Sequence, residues 1–101
     1  MVVYNVTINV HESAHVKWLQ WMKDVHLPKV MDTKMFRSYS IFKLLTRQDD
    51  EEGVTYCIQY FCDNEANYDN YKTNFAPTLQ AETQQLFAGQ FHAFRTLMEE
   101  V

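Results

Sequence analysis

The chain has few of the residues that mark linkers and low-complexity segments. Only two Gly and two Pro occur in 101 residues, while 47% of the residues are hydrophobic. Such a composition favours a packed domain, and we expect a single domain over residues 1–101.

Long apolar runs and clusters of positive charge are also missing. No stretch approaches the 18 consecutive apolar residues of a membrane-spanning helix, so we expect no membrane segment. The nine Lys and Arg residues are scattered, and the formal net charge is −4. A nucleic-acid-binding protein normally carries a basic face, so nucleic acid is not an expected partner.

The two cysteines are spaced unsuitably for a disulfide. Cys57 and Cys62 lie in one predicted strand, "TYCIQYFCD", where five steps place their Cα atoms roughly 16 Å apart and on opposite faces. A disulfide needs a separation below about 7 Å. The first ten residues also lack the pattern of a signal peptide. We therefore expect two free thiols and a cytoplasmic location.

Alternation and helical periodicity define the first half of the chain. "VVYNVTINV" (2–10) alternates apolar and mainly polar residues, which predicts a half-buried strand. From Ser13 to His26 apolar residues recur at helical spacing, so an amphipathic helix follows. Pro28 should end or kink this helix and can begin a second short helical piece, "PKVMDTKMF".

The second half predicts two strands, a helical segment and a closing strand. "FRSYSIFKLL" (36–45) and "VTYCIQYFC" (54–62) are the strands, joined by the polar tip "TRQDDEEG" (46–53). A helical segment should follow Asp63 or Asn64 as its N-cap, break near Pro77 and stop at Gly89. The last strand is "QFHAFRTLME" (90–99). The resulting β-α-β-β-α-β order predicts a ferredoxin-like α+β fold, a four-stranded antiparallel sheet with two helices on one face.

Aromatic residues make up 15% of the chain, a large amount for one small core. The third and fourth strands carry bulky residues on both faces, so the helix-free face should be apolar as well. Exposed apolar faces of this size are usually covered. We therefore expect a homodimer in which two sheets pack face to face, a dimeric α/β barrel.

The chain resembles a small bacterial family of unknown function, about 100 residues long, within the dimeric α/β-barrel group. The resembling segments are "YNVTINV" (4–10), "WLQWMKDVHLPKV" (18–30), "GVTYCIQYFC" (53–62) and "FRTLMEEV" (94–101). The resemblance implies the fold and dimerisation. Wider relatives include cofactor-independent monooxygenases, haem-degrading enzymes and ligand-sensing modules, some with a histidine on the first helix. Relatives often carry Gly where this chain has Lys34, so a positive φ there would strain the turn.

His26 is the candidate acid–base residue. It lies on the apolar stripe at the end of the first helix, where burial favours its neutral form and the helix C-terminus favours its charged form. Opposed effects of this kind could hold its pKa near neutrality, as acid–base chemistry requires. The alternative is structural, with the ring capping the last carbonyls of its helix.

A second set of residues predicts contacts to a small ligand. Polar residues on the first strand interrupt a face that a structural interface would make apolar, although water or a two-fold mate could equally satisfy them. With neighbours on the helix and other strands, the candidate ligand-binding residues are Asn5, Thr7, Asn9, Trp18, Met22, Gln59 and Arg95. We expect one enclosed cavity lined by His26 and the polar residues of the first strand.

No metal or cofactor is expected. His11 and His15 have an i, i+4 spacing, but no further ligand motif accompanies them. The sequence therefore favours a homodimeric module that binds a small ligand or a partner without assignable catalysis. The alternative is a cofactor-independent enzyme of the monooxygenase or isomerase type, with His26 as its acid or base in a cleft between the first helix and the sheet.

Overall fold

The computed structural model describes residues 1–46 and 51–101, so part of the tip predicted at 46–53 lies outside the described residues. Four strands form one antiparallel sheet in the order β2-β3-β1-β4. This is the ferredoxin-like arrangement predicted from the order of elements. The strands are β1 (Val2–Val10), β2 (Ser38–Lys43), β3 (Val54–Cys62) and β4 (Phe91–Glu99), and the helices are α1 (His15–Trp21), α2 (Leu27–Asp32), α3 (Glu65–Asn74) and α4 (Ala76–Phe87).

The two central strands, β1 and β3, direct alternate side chains to opposite faces of the sheet. Each residue of β1 lies opposite one residue of β3, from Val2 opposite Cys62 to Val10 opposite Val54. Directly opposed residues share a face of the sheet. One face therefore collects the buried residues Val2, Tyr4, Val6, Ile8, Val10, Val54, Tyr56, Ile58, Tyr60 and Cys62. The helices cover this face and build the core against it.

The first helical arm changes its winding before the proline. A π-helical turn, Met22–His26, joins α1 to α2, and the Leu27 N–H donates to the Met22 carbonyl five residues back. A proline ring inside a helix clashes with the carbonyl four residues earlier, here that of Asp24. The wider turn moves that carbonyl away. Pro28 therefore does not end the helical run but lies in the first turn of α2, which agrees with the predicted second helical piece and ends at Asp32.

The second helical arm follows the predicted signals. Asn64 caps α3, with its Oδ1 accepting from the Asn67 backbone N–H at 2.9 Å. Phe75 leaves the helical conformation before Pro77, and this divides α3 from α4. Gly89, with φ +74°, follows the end of α4. The expected N-cap, break and stop are all confirmed.

Aromatic rings fill the core under the second arm. Tyr4 stacks on Tyr60 with ring centroids 5.7 Å apart, and Tyr71 meets the edge of Phe36 at 4.9 Å. Under the first arm, Trp18 is fully buried against Tyr56, with centroids 5.1 Å apart. Trp18 is therefore a core residue and not a wall of a cavity.

The helix-free face, which we call the open face, mixes polar and apolar residues. Its exposed apolar side chains include Phe42, Phe94 and Met98, at 53%, 63% and 40%. Between them lie polar residues of the central strands, Asn5, Thr7, Asn9, Thr55 and Gln59. The open face thus carries the polar residues of β1 that the sequence analysis singled out.

Three local features agree with the sequence analysis. Cys57 and Cys62 are free thiols on opposite faces of β3. Lys34 has φ +65°, the positive value that a glycine would adopt without strain. Among the described residues, no helix is long and apolar enough to cross a bilayer.

Candidate functional site

A cleft of about 500 Å³ opens between the helix-covered face of the sheet, the π-helical turn and α4. Its floor is made by apolar side chains of the central strands, Val6, Ile8 and Ile58. Polar side chains of α4 form the opposite wall, namely Gln80, Thr83 and Gln84. An apolar floor with a few polar groups is typical of small-molecule sites, and the volume lies within their usual range.

His26 lies in this cleft because the π-helical turn presents it there. The side chain is only 9% exposed, and its ring lies 5.4 Å from that of Trp21. The Thr83 hydroxyl donates to the Leu79 carbonyl at 3.3 Å, so its oxygen is left to accept from His26 Nδ1 at 3.5 Å. In the neutral imidazole one ring nitrogen carries a proton and the other can accept a hydrogen bond.

Burial decides the charge of His26. Loss of solvation lowers the pKa of His26 to about 4, because the charged imidazolium is disfavoured away from water. Glu82 opposes this shift, whereas Lys29 and Arg95 add to it. The helix terminus does not offset burial as the sequence analysis considered. At neutral pH the imidazole is uncharged and can either donate or accept a hydrogen bond.

Arg95 is an exposed, positively charged residue in the lining of the cleft. It lies on β4 opposite Val6, on the helix-covered face. Burial raises the pKa of Tyr4, Tyr60 and Tyr71, and the positive charge of Arg95 opposes each shift. The three tyrosines remain protonated at neutral pH, and their hydroxyls can donate hydrogen bonds.

A side pocket of about 270 Å³ continues the cleft toward α3. Cleft and side pocket share Tyr4, Tyr71, Pro77, Gln80 and Arg95 as lining residues. Tyr68 and Lys72 of α3 and Ala76 line only the side pocket. Arg95 therefore lies at the junction of the two spaces.

The family is decided by a match over the full length of the chain. Residues 1–101 match DUF4286, described as a domain of unknown function. The chain belongs to the DUF4286 family. Among curated proteins, none matches the sequence.

Solved structures show the same fold as this DUF4286 chain at low sequence identity. HapK from Hahella chejuensis superposes with a TM-score of 0.72 at 12% identity, over 100% of this chain and 93% of that one. An EthD family protein from Bacillus halodurans C-125 gives 0.68 at 12% identity, over 100% of both chains. SnoaB from Streptomyces nogalater, a cofactor-independent oxygenase, gives 0.62 at 10% identity, over 98% and 91%. These similarities show a shared ferredoxin-like α+β fold.

The DUF4286 structure divides the predicted site residues between the two faces of the sheet. His26, Met22 and Arg95 line the cleft together. The polar residues Asn5, Thr7, Asn9 and Gln59 lie on the open face, so they do not line a cavity with His26. The prediction that His26 and the polar residues of the first strand line one cavity is therefore corrected. Successive residues of a strand point to opposite faces of the sheet, and on β1 Val6 and Ile8 are the ones that face the helices.

The open-face polar residues bind mainly one another and a nearby loop. Asn5 Nδ2 donates to Thr7 Oγ1 at 3.0 Å, and Asn9 Nδ2 donates to Thr55 Oγ1 at 3.0 Å and to the Glu52 carbonyl at 2.9 Å. Thr7 and Asn9 also line a separate hollow at the end of this face. These bonds give Asn5 and Asn9 partners within the chain.

Sequence reasoning missed the contribution of α4 to the cleft. Gln80, Thr83 and Gln84 recur at helical spacing, and this pattern could have indicated one polar helix face directed at the sheet. Tyr4 and Tyr71 are buried, and both also line the cleft. His11 and His15, for which no metal was expected, bond Ser13 and Tyr56, respectively.

Proposed function

We propose that the chain binds a small organic molecule in the cleft between the sheet and α4. The observation that carries this proposal is the cleft itself, about 500 Å³, with an apolar floor and the buried, neutral His26 in its wall. A buried imidazole that is only weakly bonded, at 3.5 Å to Thr83, is available to orient a ligand.

Filling the cleft with a side chain tests this function. Ala81 is exposed on α4 and lines the cleft, so Ala81→Trp should block entry while leaving the core intact. Ala66 is exposed on α3 and belongs to neither the cleft nor the side pocket, and Ala66→Trp is the matched control. Flat aromatic compounds are screened by their stabilisation of the protein against heat.

We expect compounds that raise the Tm of the wild type and of Ala66→Trp but not of Ala81→Trp. Equal stabilisation of all three proteins would place binding outside the cleft and refute the proposal. Failure of every flat aromatic compound to stabilise the wild type would refute it as well.

We also propose that two copies pair through the open face. The exposed apolar residues Phe42, Phe94 and Met98 support this proposal, since apolar side chains at 40 to 63% exposure gain by burial. The polar residues between them can bond across a two-fold axis. Light scattering at micromolar concentration should give twice the mass of the chain.

Matched charge variants locate the interface. Phe94→Asp should yield a monomer, because a carboxylate would be buried in the pairing. Leu86→Asp, at a residue of α4 that is 55% exposed, should leave the dimer intact. A wild-type monomer, or an unchanged dimer in Phe94→Asp, would contradict pairing through this face.

We further propose that the protein works in the reducing cytoplasm. The two free thiols on β3 support this location. Fractionation of the source cells should find the protein in the cytoplasmic extract, and recovery from a secreted or periplasmic fraction would contradict it.

A second candidate function is proton abstraction by His26 from the bound molecule. The favouring observation is that His26 lines the cleft and is uncharged at neutral pH, so that one ring nitrogen can accept a proton. A pKa of about 4 makes it a weak base, so this candidate requires a substrate whose proton is acidic. SnoaB, which has the same fold, is a cofactor-independent oxygenase.

The enzyme candidate makes a specific kinetic prediction. Exchange of the acidic proton of a cleft-binding compound with deuterium from the solvent should depend on a group of pKa near 4 and should be lost in His26→Ala. A folded His26→Ala protein that keeps the activity would eliminate the role as base. Binding without turnover would leave the ligand-binding function alone.

A further inference from the structure

Among the described residues, the cleft and its side pocket are lined by basic side chains and by no acidic ones. The lining residues include Arg95 and Lys72, and no Asp or Glu is among them. The chain as a whole carries 13 acidic and nine basic residues. A site without carboxylates in an acidic protein is suited to a negatively charged ligand.

Neither basic residue is neutralised by an ion pair within the part of the chain that the structure describes. The ion pairs in residues 1–46 and 51–101 are Lys29–Glu82 and Arg37–Asp63, both outside the side pocket. Arg95 is instead surrounded by uncharged groups, namely Tyr4, Tyr71 and Gln80. A guanidinium with neutral neighbours keeps its full capacity to bind an anion.

The position of Arg95 gives it influence over the whole cleft. Its charge acts on Tyr4, Tyr60 and Tyr71 and also on His26, so its field reaches both the side pocket and the cleft. Lys72 lies at the α3 side of the same pocket. An anion in the side pocket would meet two cations and the donor hydroxyls of Tyr4, Tyr68 and Tyr71.

We propose that the ligand of the cleft is a flat apolar molecule bearing one carboxylate, with the carboxylate held by Arg95 and Lys72 in the side pocket. The apolar body would then lie over Val6, Ile8 and Ile58 and reach His26. This inference rests on the proposed function and adds the chemical class of the ligand. Arginine is suited to the role because its two N–H groups match the two carboxylate oxygens.

Two probes of equal shape test the charge requirement. 2-Naphthoate and 2-naphthamide differ in the charge of one group, and calorimetry measures the Kd of each. The carboxylate should bind about tenfold more tightly or better, because a hydrogen bond to a charged partner is stronger than one to a neutral partner. Proton NMR of the His26 and Tyr71 rings reports whether the probe lies in the cleft.

Substitutions then assign the preference to Arg95. In Arg95→Gln the two probes should bind within about twofold of each other, with the Kd of 2-naphthamide unchanged as an internal measure of folding. Lys72→Gln should lower the preference less, because Lys72 lines only the side pocket and a lysine acts as a point charge, whereas arginine can bond both carboxylate oxygens. Arg37→Gln removes a cation outside the pocket and is the matched control.

Each outcome decides between the proposals. Equal binding of both probes at the His26 ring would overturn the anionic ligand and leave the ligand-binding function standing. A carboxylate preference that survives Arg95→Gln would also overturn it. Absence of any shift at His26 and Tyr71 with either probe would overturn the inference and count against the ligand-binding function itself.

Discussion

Replacing Gly53 by alanine should be far more costly than replacing the only other glycine, Gly89. Both have a positive φ, +79° at Gly53 and +74° at Gly89, so the intrinsic backbone strain of alanine is the same in the two turns. That strain is about 1 kcal/mol, partly offset because alanine restricts the unfolded chain. The two substitutions therefore differ only in their surroundings.

The surroundings of Gly53 leave no space for a methyl group. A Cβ there would lie 2.6 Å from the Val10 carbonyl oxygen and 2.7 Å from Asn9 Oδ1, whereas none of the described residues comes within 4 Å of a Cβ at Gly89. Val10 belongs to β1 and is paired with Val54, and the Asn9 amide is held by Thr55 and Glu52. Neither contact can move without loss of hydrogen bonds.

We expect Gly53→Ala to lower the free energy of unfolding by about 3 kcal/mol, from backbone strain and overpacking together. Gly89→Ala should lower it by about 0.5 kcal/mol. Urea denaturation at one protein concentration measures both, with the slopes compared to confirm that the unfolded states are similar. Equal losses in the two variants would refute the argument from the Val10 contact.

Three further predictions concern stability. The free energy of unfolding should fall by about 3 kcal/mol as the pH drops from about 6.5 to 4, because His26 binds a proton in the unfolded chain but, with a folded pKa of about 4, not in the folded one. Urea denaturation across this pH range measures the fall, which should be absent in His26→Gln. A free energy of unfolding that does not change with pH in the wild type would contradict this prediction. Lys34→Gly should raise the free energy of unfolding by about 0.5 kcal/mol, because it removes the strain of a positive φ. The gain is small because glycine also increases the conformational entropy of the unfolded chain. A destabilised variant would show that the turn is unstrained. Asn64→Ala should lower the free energy of unfolding by about 1 kcal/mol by removing the cap of α3, and circular dichroism melts that show no loss would contradict the capping role.

The fold could be predicted because each element carries its own local signal. β3 was predicted at 54–62 and is found at Val54–Cys62, since its alternating pattern is bounded by Gly53 and Asp63. β2 was predicted at 36–45 and is shorter, Ser38–Lys43. Aromatic and branched residues beyond its ends favoured a strand by propensity, but only pairing with β3 defines where the ladder stops.

The candidate site was predicted only in part because it depends on which face each residue takes. His26 was assigned to the apolar stripe correctly, and the structure places it at the cleft. Its predicted companions on β1 occupy the alternate positions of the strand. A sequence pattern gives the two faces of a strand but does not by itself state which face the helices cover, and here the more apolar set of β1 faces them.

Pro28 links the local sequence to the position of the cleft histidine. In a regular α-helix the ring of Pro28 would press on the Asp24 carbonyl, and the π-helical turn at Met22–His26 removes that clash by adding one residue to the turn. One added residue rotates the helix before the turn by about 100° relative to the helix after it. The stripe of α1 therefore packs Trp18 into the core, while the wider turn brings Met22 and His26 to the cleft wall.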